Sequence, residues 1–167
     1  MKKWIVVLCS LALLSPSLLA ASPNSKSKAD FERMKSLEGV WEGQGPDGKL
    51  ERVSYAVVSA GSVVMETIDH ADMGGMMVTM YHLDGDRLIM THYCSVGNQP
   101  RMRMVSSTKS DMTFEMFDAT NLASNKDAHM RKLVISWTDK NHITADWTMS
   151  KDGRDEHHGV FKLERKS

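Results

Sequence analysis

Cysteine is scarce: the chain has two, Cys9 and Cys94, and Cys9 falls in a segment that reads as a cleavable leader. A mature chain with one thiol can close no internal disulfide, so an apolar core must supply its stability. An excess of one charge is lacking too. Removing Lys2 and Lys3 leaves 19 basic against 21 acidic residues, a net charge of −2. No basic patch points to nucleic acid, and no charge block points to a membrane surface. Paired metal motifs such as CxxC or HExxH do not occur, and a single cysteine cannot build a structural zinc site by itself. Internal repeats and low-complexity domains are also missing.

The leader is recognised by its order of parts. Lys2 and Lys3 are followed by an apolar run from Trp4 to Leu14 and by the small residues Ala20 and Ala21. That order is expected of a secretory signal peptide over residues 1–21, cut after Ala20 or Ala21. Ser15 and Pro16 interrupt the run well short of the roughly 20 residues a bilayer requires, so no stable membrane insertion is expected after cleavage. Leu8 before Cys9 does not suit lipid attachment. The expectation is an exported protein, periplasmic or extracellular. Residues 22–29 read as a disordered linker and 30–167 as one domain, a monomer or weak dimer.

Asp30 to Leu37 can form a short helix, with Phe31, Met34 and Leu37 on one face. Strands are expected over 38–43, 50–58, 62–68, 76–82, 87–95, 101–106, 112–118, 131–138, 142–149 and 159–165. Turn signals such as Pro46-Asp47-Gly48, Gly74-Gly75, Asp84-Gly85-Asp86 and Lys151-Asp152-Gly153 separate them. About ten short strands after one helix predict an all-β fold, a single antiparallel up-and-down β-barrel. The polar stretch 118–130 is long for a hairpin loop and can cover a barrel mouth.

Methionine is abundant, 14 residues. The hairpin from Met76 to Met104 concentrates soft and titratable groups. Met76, Val78, Met80 and His82 share one strand face, and Leu88, Met90, His92 and Cys94 share a face on the return strand. An odd-length turn sets these two faces side by side, whereas a two-residue turn sets each against the opposite set. The chemically coherent choice puts Met80 near Met90, and Met76 near His92 or Cys94. The candidate ligand-binding residues are Met80, His82, Met90, His92, Cys94, Asn98, Gln99, Met102 and His129.

Several readings of this face stay open. It can be a methionine-rich core with a buried thiol. It can line a cavity for a small hydrophobic or amphipathic molecule. It can hold a soft metal, Cu(I) or haem iron, through His92, Cys94 and Met76, or through His157 for haem. An enzyme using Cys94 and His92 is a further alternative, since an adjacent imidazole lowers a thiol's pKa. Gly97-Asn98-Gln99-Pro100 reads first as a turn, and Asp69-His70-Ala71-Asp72 as a solvated loop. Met65, Met112, Met116 and Met149 lie in other strands and read as core.

Gly39-Val40-Trp41, opening the first strand after a helix, resembles the start of the lipocalin and fatty-acid-binding-like (calycin) superfamily. The resemblance implies that Trp41 closes one end of the barrel and that Arg165 stacks on it. The run Gly39-x-Trp41-x-Gly43-x-Gly45 also resembles nitrobindin-type haem barrels, which ligate haem through a histidine near the C-terminus, where His157 and His158 stand. Aromatic residues, at 7%, are few for a haem pocket. Met80-Tyr81-His82-Leu83-Asp84-Gly85, Thr91-His92-Tyr93-Cys94 and Gly97-Asn98-Gln99-Pro100-Arg101-Met102 resemble an uncharacterised family of exported bacterial calycin-type proteins, which brings no activity with it. Together these features lead to the expectation of a barrel that carries a small molecule in its interior.

Overall fold

In the computed structural model, which describes residues 25–45, 47–69 and 75–166, one helix precedes a closed antiparallel barrel. The expected leader 1–21 and the His70-Ala71-Asp72 segment lie outside the described residues. Helix α1 (Ser25–Lys35) leads into β1 (Gly39–Gln44), β2 (Leu50–Val58), β3 (Val63–Asp69), β4 (Met77–Asp84) and β5 (Arg87–Tyr93). The second half comprises β6 (Gln99–Ser107), β7 (Asp111–Thr120), β8 (His129–Trp137), β9 (His142–Lys151) and β10 (Arg154–Lys166). Each strand pairs with its sequence neighbours, and β1 pairs with β10 to close the ring. Closure leaves no strand edge to recruit a foreign strand.

The helix begins five residues before its expected start, at Ser25, where a disordered linker was expected. Side-chain bonds to the barrel hold this first turn. Ser27 donates to the Asp86 carbonyl, and Asp30 accepts from Ser107 at 2.6 Å and from Lys26 at 3.1 Å. Phe31, Met34 and Leu37 are buried, so the helix seals the barrel end carrying the Gly85–Asp86 turn. Arg33 adds a guanidinium over Trp137, 3.8 Å from its centroid, and donates to the Thr108 carbonyl at 2.7 Å.

Closure depends on the β1–β10 seam, where Trp41 and Arg165 are direct partners. The Arg165 guanidinium lies 4.2 Å from the Trp41 ring centroid and donates to the carbonyls of Glu38 at 2.6 Å and Ser36 at 2.7 Å. Trp41 donates its indole N–H to the Leu37 carbonyl at 2.8 Å. One arginine thus ties the last strand to the helix–strand junction and caps a fully buried ring. Gly43 allows the same seam to close tightly: a Cβ there would lie 1.7 Å from the Lys162 carbonyl oxygen.

The central hairpin takes a two-residue turn. Asp84 pairs with Arg87, leaving Gly85 and Asp86 as the loop, with Gly85 at φ +60°. A positive φ at the first central position matches the twist of antiparallel strands and suits glycine. Thr79 then faces His92 and Tyr81 faces Met90, while Met80 pairs with Thr91. The side-by-side arrangement of the two methionine faces is therefore not formed. Met77, Thr79 and Tyr81 point inward with Leu88, Met90 and His92; Met76, Val78, Met80 and His82 point out.

Replacing Arg165 with alanine removes the ring contact and its carbonyl bonds together. It should cost about 2–3 kcal/mol of unfolding free energy, read as a lower urea midpoint with an unchanged denaturant slope.

Candidate functional site

A carboxylate stands inside the barrel. Glu66 occupies β3 between Val64 and Ile68 on the inward face, and only 2% of its surface is exposed. A carboxylate is rarely buried unless hydrogen bonds satisfy it, and here three hydroxyls do so. Tyr55 donates to Oε1 at 2.7 Å, Tyr81 donates to Oε2 at 2.9 Å, and Thr79 bonds to the same carboxylate. Burial pushes the Glu66 carboxyl above the usual carboxylate range, and the three hydroxyl bonds pull it part of the way back. The two phenols are pushed well up by their own burial and by the neighbouring carboxylate, so both remain protonated donors.

The network continues to His92. Its Nδ1 lies 2.9 Å from the Thr79 hydroxyl. Which of the two groups donates in this contact is set by the imidazole tautomer. The His92 ring leans on Trp147 of β9, with centroids 4.9 Å apart and planes tilted by 43°. This contact crosses the interior from β5 to β9.

These groups border an interior cavity of about 20 Å³, close to the room one water molecule needs. Val53, Ile68, Ala145, Phe161 and Leu163 supply its apolar wall, and Glu66 and His92 its polar groups. Met77 and Met130 bring two thioethers, from β4 and β8, and Trp147 brings a ring face. Methionine is flexible enough to re-pack around an occupant.

Of the residues expected to bind a ligand, His92 alone lines this cavity. Met90 and Met102 are fully buried and face each other across β5 and β6, within the core but outside the cavity wall. Met80 and His82 lie on the outer face, where His82 Nδ1 contacts the Leu83 carbonyl at 3.1 Å. Met76 is 67% exposed, so it cannot share an interior metal with His92. Cys94 is buried beside the β5–β6 turn, and burial pushes its thiol up. With His92 Nδ1 engaged by Thr79, the lowered thiol pKa needed for a nucleophile is not produced.

Asn98, Gln99 and His129 tie down a loop. Asn98 donates to the Ala128 carbonyl at 2.8 Å, and Asn121 to the Gly97 carbonyl at 2.5 Å. Gln99 accepts from Thr120 at 2.7 Å and donates to the Gly97 carbonyl at 3.1 Å. His129 is buried with Nδ1 2.7 Å from the Asp127 carbonyl, and it borders a surface groove with Arg131 and Asp155. Residues 121–128 are thereby fastened at the barrel end opposite α1. The side chains of His157 and His158 lie outside the described residues.

The residues that sequence reasoning missed are Glu66, Tyr55, Thr79, Tyr81, Trp147, Met77 and Met130. One signal was available: in Val64-Met65-Glu66-Thr67-Ile68 the glutamate shares its strand face with two apolar residues. A charge on the apolar face of an alternating strand marks a buried carboxylate. No protein-family model and no curated protein matches this chain. The closed ten-stranded barrel is consistent with a calycin- or lipocalin-like fold.

The direction of the Glu66 shift sets a pH dependence. A carboxyl whose folded pKa is raised favours the fold fully below its unfolded pKa and loses that contribution as pH rises through the folded value. The stability of the parent protein relative to Glu66→Gln should therefore be greater at pH 4 than at pH 8, as urea titrations at the two values will show. Equal differences at both would mean that the carboxyl is not shifted upward.

Proposed function

We propose that this protein is an exported carrier that holds a small hydrophobic or amphipathic molecule inside its barrel. The observation that supports this reading most directly is the Glu66–Thr79–His92 chain bordering an otherwise apolar cavity. A core selected for stability alone gains little from a buried carboxyl, because such groups are costly to desolvate. A binding site gains orientation from it. The guest's apolar part would lie against Ile68, Ala145 and Phe161, and its one polar end against Glu66 and His92.

Size restricts the guest. At about 20 Å³ the cavity admits a few atoms, and a short chain enters only when Met77 and Met130 swing aside. A haem macrocycle would require much of the core to be dismantled. Small polar-ended molecules are the class that fits.

The probe of choice is 1-hexanol. It should bind saturably with a negative heat-capacity change in calorimetry, the mark of apolar burial, and perturb tryptophan emission through Trp147. Ala145→Val fills the cavity and should abolish this binding while the protein stays folded. Absence of hexanol binding, together with no co-purified guest in the native mass spectrum, would overturn the proposal.

A further inference from the structure

The cavity wall includes a carboxylate, Glu66, and no lysine or arginine. Among the described residues the whole buried set contains neither of those two residue types. The bonds that offset the burial of Glu66 come from the hydroxyls of Tyr55, Tyr81 and Thr79, which stand outside the wall. A guest ending in a carboxylate would therefore be set beside a like charge in an apolar enclosure, the arrangement that disfavours ionisation most. A guest ending in a cation meets the opposite charge.

From this wall we infer that the polar end of the guest is a primary ammonium seated against Glu66. The inference rests on the carrier reading and narrows it, from polar-ended molecules in general to alkylamines, with chains that end in a carboxylate refused.

Three features of the site agree with it. The three hydroxyls take three acceptor positions on the carboxylate, and an ionised carboxyl offers about four. One position is left for a donor from the guest. The gap of about 20 Å³ suits an ammonium head, which is close to a water molecule in size. Trp147 lies in the same wall, and an indole ring attracts cations. The energetics favour pairing as well. The fold already bears the desolvation of Glu66, and a single buried charge is the costly case that an opposite charge relieves.

The test is calorimetric titration of the purified protein at pH 8 with three probes of matched chain: 1-hexylamine, 1-hexanol and hexanoate. At this pH the amine is a cation, as a lysine side chain is, and hexanoate an anion. Hexylamine should bind more tightly than hexanol by at least about tenfold, the factor that one pKa unit of opposite-charge stabilisation represents. Hexanoate should give no saturable heat. Added salt should leave amine binding nearly unchanged, because buried pairs are screened little, whereas pairing with a surface carboxylate such as Asp155 would fade. Ala145→Val should abolish amine binding, which places the amine in the cavity. Glu66→Gln should lower the ratio of amine to hexanol affinity by at least about tenfold. Should that variant fold poorly, the order of the probes and the salt response of the parent protein decide alone. Hexanoate binding as tightly as the amine, an unchanged ratio in Glu66→Gln, or amine binding that survives Ala145→Val would each overturn the inference. Hexanol binding with no preference for the amine removes the ammonium and leaves the carrier. Silence from all three probes, with no co-purified guest, removes the carrier and the ammonium with it.

Discussion

The Gly85–Asp86 turn decides which side chains of the central hairpin meet inside the barrel. Strand side chains alternate with period two, so a turn one residue longer would carry every group on one arm to the other face. With Gly85 at φ +60°, Thr79 stands opposite His92, and Tyr81 is directed at Glu66 on the neighbouring strand. The pairings of β2 with β3 and of β3 with β4 bring Tyr55 and Thr79 opposite Glu66, and the turn's register joins the imidazole to that network. Helix α1 reinforces it, since Ser27 bonds to the turn itself.

The network then shapes the rest of the interior. A buried carboxyl requires partners, and Tyr55, Tyr81 and Thr79 provide them. Their fixed positions leave His92 leaning across to Trp147, and a small gap remains between the two halves of the wall. Met90, Met102 and Met112 fill the adjoining core with no exposed surface. Buried methionine therefore has two roles in one barrel: Met34, Met90, Met102 and Met112 are filler, and Met77 and Met130 border the gap. Composition cannot separate these roles, because they differ only in what lies beside each sulfur.

Legibility followed the same division. Alternating patterns and turn residues located all ten strands, since local chain chemistry controls them; β2, Leu50–Val58, falls where the pattern places it. The start of α1 was less readable, because Ser25 to Lys28 are polar and are held by bonds to distant residues such as Asp86 and Ser107. On the hairpin, both faces of β4 are apolar enough to be core, so alternation could not choose between Met80 and Tyr81. His92 was found from its neighbours in sequence. Its actual partners, Thr79 and Trp147, come from other strands.

Closing the ring would also determine how the proposed occupant comes and goes. A sheet without edges cannot part sideways, and α1 obstructs one end. The other end is laced by Asn98 to Ala128 and Asn121 to Gly97. Traffic through that end must wait for those knots to loosen, a matter of local breathing rather than diffusion. Residence time is then a property of the lacing as much as of the chamber.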